Sequence, residues 1–132
     1  MARITREQIQ KINEKCSNGW GLDIQYFLYH NEKTLIKKID LDSEHYLEFR
    51  LYYTYQNKIQ LHISKYHYQE GDYFATSNGL GKSRLLDNIQ YTRKSIKDLI
   101  NYTKTLNDEE LMTINAMTEA TITPIFVADE DF

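Results

Sequence analysis

The chain has little of what would mark an enzyme, a membrane protein or a disulfide-stapled secreted domain. One cysteine, Cys16, among 132 residues excludes an internal disulfide framework. No apolar run approaches the ~18 residues that a membrane-spanning helix needs. There is one proline, Pro124, and one tryptophan, Trp20. No linker, internal repeat or low-complexity segment divides the chain, so residues 1–132 read as one domain, with 128–132 a flexible acidic tail. Residues 105–132 contain no Lys or Arg. The Met-Ala-Arg start shows no signal-peptide pattern, and a cytoplasmic, reducing location is expected. A net charge of −3 argues against a dedicated nucleic-acid binder, which would ordinarily be basic.

What is present is globular in character. Hydrophobic residues make up 41% of the chain, enough for a core at this length without staples. Eleven tyrosines stand out, nine of them between Tyr26 and Tyr73. Tyrosine suits the half-buried surface of a sheet, and it also serves as a rigid contact residue with a polar tip.

Periodicity orders these residues into elements. Thr5 with Gln8 makes a capping box, and Ile4 with Ile9 a hydrophobic staple, for a helix of about ten residues that ends near Asn18-Gly19. From Leu22 to Ser77 the period is two. Leu22, Ile24, Tyr26 and Leu28 form one run, and Leu35, Ile39 and Leu41 a second. His45 to Tyr55 forms a third, and Ile59, Leu61 and Ile63 a fourth. Turn residues separate the runs at Asn31-Glu32, Asp42-Ser43, Gln56-Asn57 and Glu70-Gly71. Turns this close leave no room for parallel crossovers, so the sheet is an antiparallel meander of four to five strands.

The period then returns to 3.6. Ile96, Leu99, Ile100 and Thr103 face inward on a helix whose outer face carries Arg93, Lys94, Lys97 and Lys104. Asn107 with Glu110 caps a last helix with an apolar stripe of Leu111, Met112, Ile114 and Met117. Thr121–Val127 reads as a short edge strand limited by Pro124. The expected fold is therefore α+β: an N-terminal helix, the meander, and two C-terminal helices packed on one sheet face.

No catalytic constellation emerges. Gly79-Leu80-Gly81-Lys82-Ser83 lacks the first glycine of a P-loop, since that position holds Thr76, and it does not sit in a βαβ unit. It reads as turn residues in the connection from sheet to helix, or as an anion-binding nest of backbone N–H groups. His30, His45, His62 and His67 lack ligand spacing, so no metal and no cofactor is expected. Cys16 reads as a small residue of the helix's apolar face.

Charge is sorted along the chain. Residues 1–81 are neutral, with ten basic and ten acidic residues. Residues 82–104 carry Lys82, Arg84, Arg93, Lys94, Lys97 and Lys104 against Asp87 and Asp98, a net +4. Residues 105–132 carry Asp108, Glu109, Glu110, Glu119, Asp129, Glu130 and Asp131, a net −7. Blocks of one sign mark surfaces suited to charged partners.

A small single domain, a Tyr-rich sheet, charge blocks, an acidic C-terminal part and no catalytic signature together resemble small phage-encoded counter-defence proteins of the anti-CRISPR type. The resemblance implies a non-enzymatic inhibitor, cytoplasmic in its bacterial host, that occupies the nucleic-acid channel of a CRISPR effector nuclease. Its carboxylates would stand in for phosphates: the seven acids of 105–132, with Glu70 and Asp72 as additions. The alternative is a sponge for a phosphate-bearing signalling nucleotide, held by Gly79, Gly81, Lys82, Arg84, Arg93 and Lys97. An exposed Tyr-rich face or the edge strand would also allow a homodimer.

Overall fold

The computed structural model describes residues 4–68, 75–119 and 121–122. Helix α1 (Arg6–Lys15) starts as the sequence predicts. The Thr5 hydroxyl accepts the Gln8 N–H at 3.1 Å, and the Gln8 side chain accepts the Thr5 N–H at 2.9 Å. The next stretch departs from expectation. Strand β1 is only Gly21–Leu22, and Ile24–His30 is helix α2 rather than strand. Asp23 is its N-cap, accepting the Tyr26 N–H at 3.1 Å, and Asn31 ends it in the left-handed conformation at φ 54°. The alternation of apolar residues was coincidental. Ile24 and Leu28 are 42% and 65% exposed, whereas Phe27, from the opposite set, is buried.

Strands β2 (Leu35–Asp40), β3 (His45–Tyr53), β4 (Ile59–Tyr68) and β5 (Ala75–Leu85) follow. Helix α3 spans Ile96–Thr103, helix α4 Asp108–Met117, and β6 is Thr121–Ile122. The sheet order is β1-β2-β3-β4-β5-β6, every pair antiparallel. The meander expected from the turn spacing is present, and β6 lies at its edge. Positions 123–127 of the predicted edge strand, the Glu70-Gly71 turn and the acidic tail lie outside the described residues.

Register defines the two faces. Leu35, Lys37 and Ile39 share one with Leu47, Phe49 and Leu51 of β3 and with Ile59, Leu61 and Ile63 of β4. On that face Leu35, Phe49, Leu51, Ile59, Leu61 and Ile63 form one core with Ile12, Trp20, Leu99, Ile100, Leu106, Leu111 and Ile114. Helices α1, α3 and α4 therefore cover this face, and apolar burial holds them there. Met117 was expected in that stripe but is 65% exposed, because two steps of three residues from Leu111 carry it about 120° around the helix, off the buried face.

Polar links fix the segment after α1 against the α3–α4 corner. The Ser17 N–H donates to the Thr103 hydroxyl at 3.0 Å, Asn18 Nδ2 to the Thr103 carbonyl at 2.7 Å, and Trp20 Nε1 to the Leu106 carbonyl at 2.9 Å. Cys16 is half-buried beside this corner, and burial pushes its thiol up to about 11, the signature of an unreactive cysteine.

Candidate binding surfaces

The acidic residues divide into groups. Asp108, Glu109 and Glu110 form the first turn of α4, where the helix dipole favours carboxylates. The Asn107 side chain caps the turn by accepting the Glu110 N–H at 2.9 Å. All three acids are exposed. Asp108 Oδ1 lies 2.6 Å from Lys37 Nζ, and Lys37 also donates to the Asn18 carbonyl. Glu109 and Glu110 make no ion pair among the described residues. Glu119 is exposed beyond the C-cap Thr118, so about 15 Å of helix separates it from Asp108. The structure thus gathers three of the predicted acids and sets Glu119 apart. Asp129, Glu130, Asp131, Glu70 and Asp72 lie outside the described residues.

The predicted basic site is dispersed over different elements. Gly79 to Ser83 is strand within β5, not a loop: Gly81, Lys82 and Ser83 pair with Ser64, Ile63 and His62 of β4, and Leu80 and Gly81 pair with Ile122 and Thr121 of β6. Gly81 has a packing reason. A Cβ there would stand 2.9 Å from His62 Cε1. Lys82 points to the core side of the sheet, and its ammonium donates to the carbonyls of Asn115 at 2.7 Å and Thr118 at 3.2 Å. It thereby satisfies the C-terminus of α4, where a cation is favoured. Burial lowers the Lys82 pKa.

Helix α3 begins only after its N-cap Ser95, so Arg93 and Lys94 precede it, and only Lys97 projects from the helix itself, with Lys104 at its C-cap. The reason is Ser95, whose hydroxyl accepts the Lys97 N–H and opens the helix there. Arg84, Arg93 and Lys97 are exposed on β5, the β5–α3 connection and α3 respectively.

The sheet face away from α1, α3 and α4 carries a cluster of tyrosines, Tyr46, Tyr52, Tyr66 and Tyr68. Tyr46 and Tyr66 stack at 5.3 Å between centroids, Tyr68 meets Tyr46 at 4.6 Å, and Lys38 sits 4.8 Å over the Tyr46 ring. These neighbours leave Tyr46 only 4% exposed. Its phenol is pushed up to about 12, by burial first and then by the charge of Glu48. Beside them Arg50 reaches Asp23 at 3.2 Å and Glu48 at 3.5 Å and lies over the Tyr26 ring. Burial raises the Glu48 pKa, and burial, then the Arg50 charge, lowers that of His62. Most of the described tyrosines on this face are therefore packed and engaged, whereas Tyr29 and Tyr55 project freely.

Among the described residues no group of three or more His, Cys, Asp or Glu side chains could hold a metal ion. His45 pairs with Asp42 at 3.0 Å and its ring lies 4.8 Å from that of His67. Among the described residues no helix is long and apolar enough to cross a membrane. Comparison with family models, with curated proteins and with solved structures finds no match to this chain.

Proposed function

We propose that this protein is a non-enzymatic inhibitor that binds a positively charged surface of a partner protein through its carboxylates. The partner class is the one the resemblance implies, a CRISPR effector nuclease that holds nucleic acid in a positively charged channel. Asp108, Glu109 and Glu110 would occupy phosphate positions there, with Glu119, Asp129, Glu130 and Asp131 extending the contact. The observation that supports this reading is the first turn of α4. Three consecutive carboxylates stand exposed on a capped, core-anchored helix, and two of them are free of internal ion pairs among the described residues. Rigid placement lowers the ordering cost of binding.

The sponge reading has no comparable support. The ammonium of Lys82 is spent on the end of α4, and its proposed glycines lie in a paired strand.

The test is affinity for guide-loaded effector nucleases of the Cas9 type and of other types, for wild type and for the Glu109→Lys/Glu110→Lys variant. Two lost charge-assisted contacts at about 1.5 kcal/mol each predict a loss of roughly 100-fold. Wild-type binding should also weaken as salt rises. Unchanged affinity in the charge-reversed variant, or no binding to any effector type, would reject the proposal.

A further inference from the structure

Where the start of α1, the C-terminal end of α2 and the approach to α3 meet, the surface closes into a cleft of about 440 Å³. That volume lies within the ~300–1,000 Å³ range of small-molecule sites. The buried rings of Phe27 and Tyr53 and the side chain of Ile96 supply its apolar lining. Tyr53 is held in place by its hydroxyl, which lies 2.6 Å from Asp98 Oδ2 and 3.0 Å from the Ser95 carbonyl.

The charged lining residues, Lys33 and Lys94 against Glu32, leave a net positive charge. Lys94 Nζ lies 3.0 Å from Glu32 Oε1, so the one carboxylate lining the cleft is already matched. Lys33 makes no ion pair among the described residues. Ser95, the N-cap of α3, adds the positive end of that helix's dipole. One further lining residue carries an unmet group. Thr34 is 2% exposed, and its buried hydroxyl has no hydrogen-bond partner among the described residues. Buried polar groups in native proteins are ordinarily satisfied.

We propose that this cleft binds a small organic anion. Its flat apolar body lies against Phe27, Tyr53 and Ile96, and its negative group lies against Lys33, with Lys94, shared with Glu32, beside it. The apolar half of the lining favours an organic body over an inorganic ion, and the net positive charge of the lining disfavours neutral or positive ligands of the same shape. None of the acids invoked for partner binding lines the cleft, so the two proposals fail independently.

The test is a ¹⁵N–¹H NMR titration of the full chain with benzoate, naphthalene-2-carboxylate and indole-3-acetate, each beside its neutral amide. At least one carboxylate should give saturable shifts centred on the amides of Phe27, Lys33, Thr34, Ser95 and Ile96. Its neutral amide should bind about tenfold more weakly, as should the carboxylate to the Lys33→Ala/Lys94→Ala variant, in line with two exposed charge contacts. Both lysines are surface residues, and retention of the dispersed spectrum checks that the variant is folded. Absence of saturable shifts with all three anions, shifts centred elsewhere, equal affinity for anion and amide, or unchanged affinity in the double variant would each overturn the proposal.

Discussion

Replacing Asp23 with alanine should cost about 2 kcal/mol of folding stability, because one carboxylate serves two structural ends. As N-cap of α2 it accepts the Tyr26 N–H at 3.1 Å, a contact of a kind whose loss costs ~1 kcal/mol. Its Oδ2 also lies 3.2 Å from Arg50, whose side chain is 30% exposed, so solvent screening holds that pair to roughly 0.5–1 kcal/mol. Asparagine caps as well as aspartate, so Asp23→Asn should lose only the ion-pair part, at most ~1 kcal/mol. Urea denaturation followed by fluorescence of the buried Trp20 reads both values. At about 3–5 °C per kcal/mol for a chain of this size, Asp23→Ala should lower Tm by roughly 6–10 °C. Secondary chemical shifts over residues 24–30 would report loss of α2 directly. An Asp23→Ala variant within ~0.5 kcal/mol of wild type, or an Asp23→Asn variant as damaged as alanine, would refute the assignment of α2 and its cap.

Other variants probe the remaining departures from the expected fold. Lys82→Met should destabilise by about 1.5–3 kcal/mol, as measured by urea midpoint, because it strands the last carbonyls of α4; no loss would contradict its capping role. Gly81→Ala should cost ~1–3 kcal/mol through the His62 ring, and His62→Ala in the same chain should recover most of it; an unrescued loss would deny that contact.

Stability should also fall at alkaline pH. The Tyr46 phenol, raised from 10 to about 12 by burial, stays neutral in the fold while the unfolded chain ionises. Its contribution is complete below about pH 10 and is lost as pH climbs towards 12, so Tyr46→Phe should flatten that decline in the urea midpoint. An equal decline in the variant would count against the packed tyrosine face.

What was legible in the sequence was local. The Thr5–Gln8 box and the Asn107 cap act within one turn, so residue type and spacing sufficed to place α1 and α4. Closely spaced turns likewise implied antiparallel pairing, since short connections permit nothing else. The α2 segment misled because Leu22, Ile24, Tyr26 and Leu28 imitate a strand. The signals for a helix, Asp23 before it and Asn31 after it, are short, and they compete with that pattern. Gly79 to Ser83 looked like a loop because glycine and lysine disfavour strands. Only pairing with β4, and a histidine needing the space of a missing Cβ, explains them as strand. Of the candidate surface, the three acids opening α4 were legible as a capped helix start. The partner of Asp108, Lys37 from β2, was not, because that contact is made by the tertiary fold alone.

The central claim is that exposed carboxylates at the start of α4 take the place of nucleic-acid phosphates in a partner's basic channel. Displacement measures it most directly: fluorescently labelled target DNA bound to a guide-loaded effector, titrated with this protein and followed by anisotropy. Wild type should release the DNA in a saturable way, and Glu109→Lys/Glu110→Lys, although folded, should not. Wild type that binds the effector while leaving the DNA in place, or a charge-reversed variant that still displaces it, would contradict the claim.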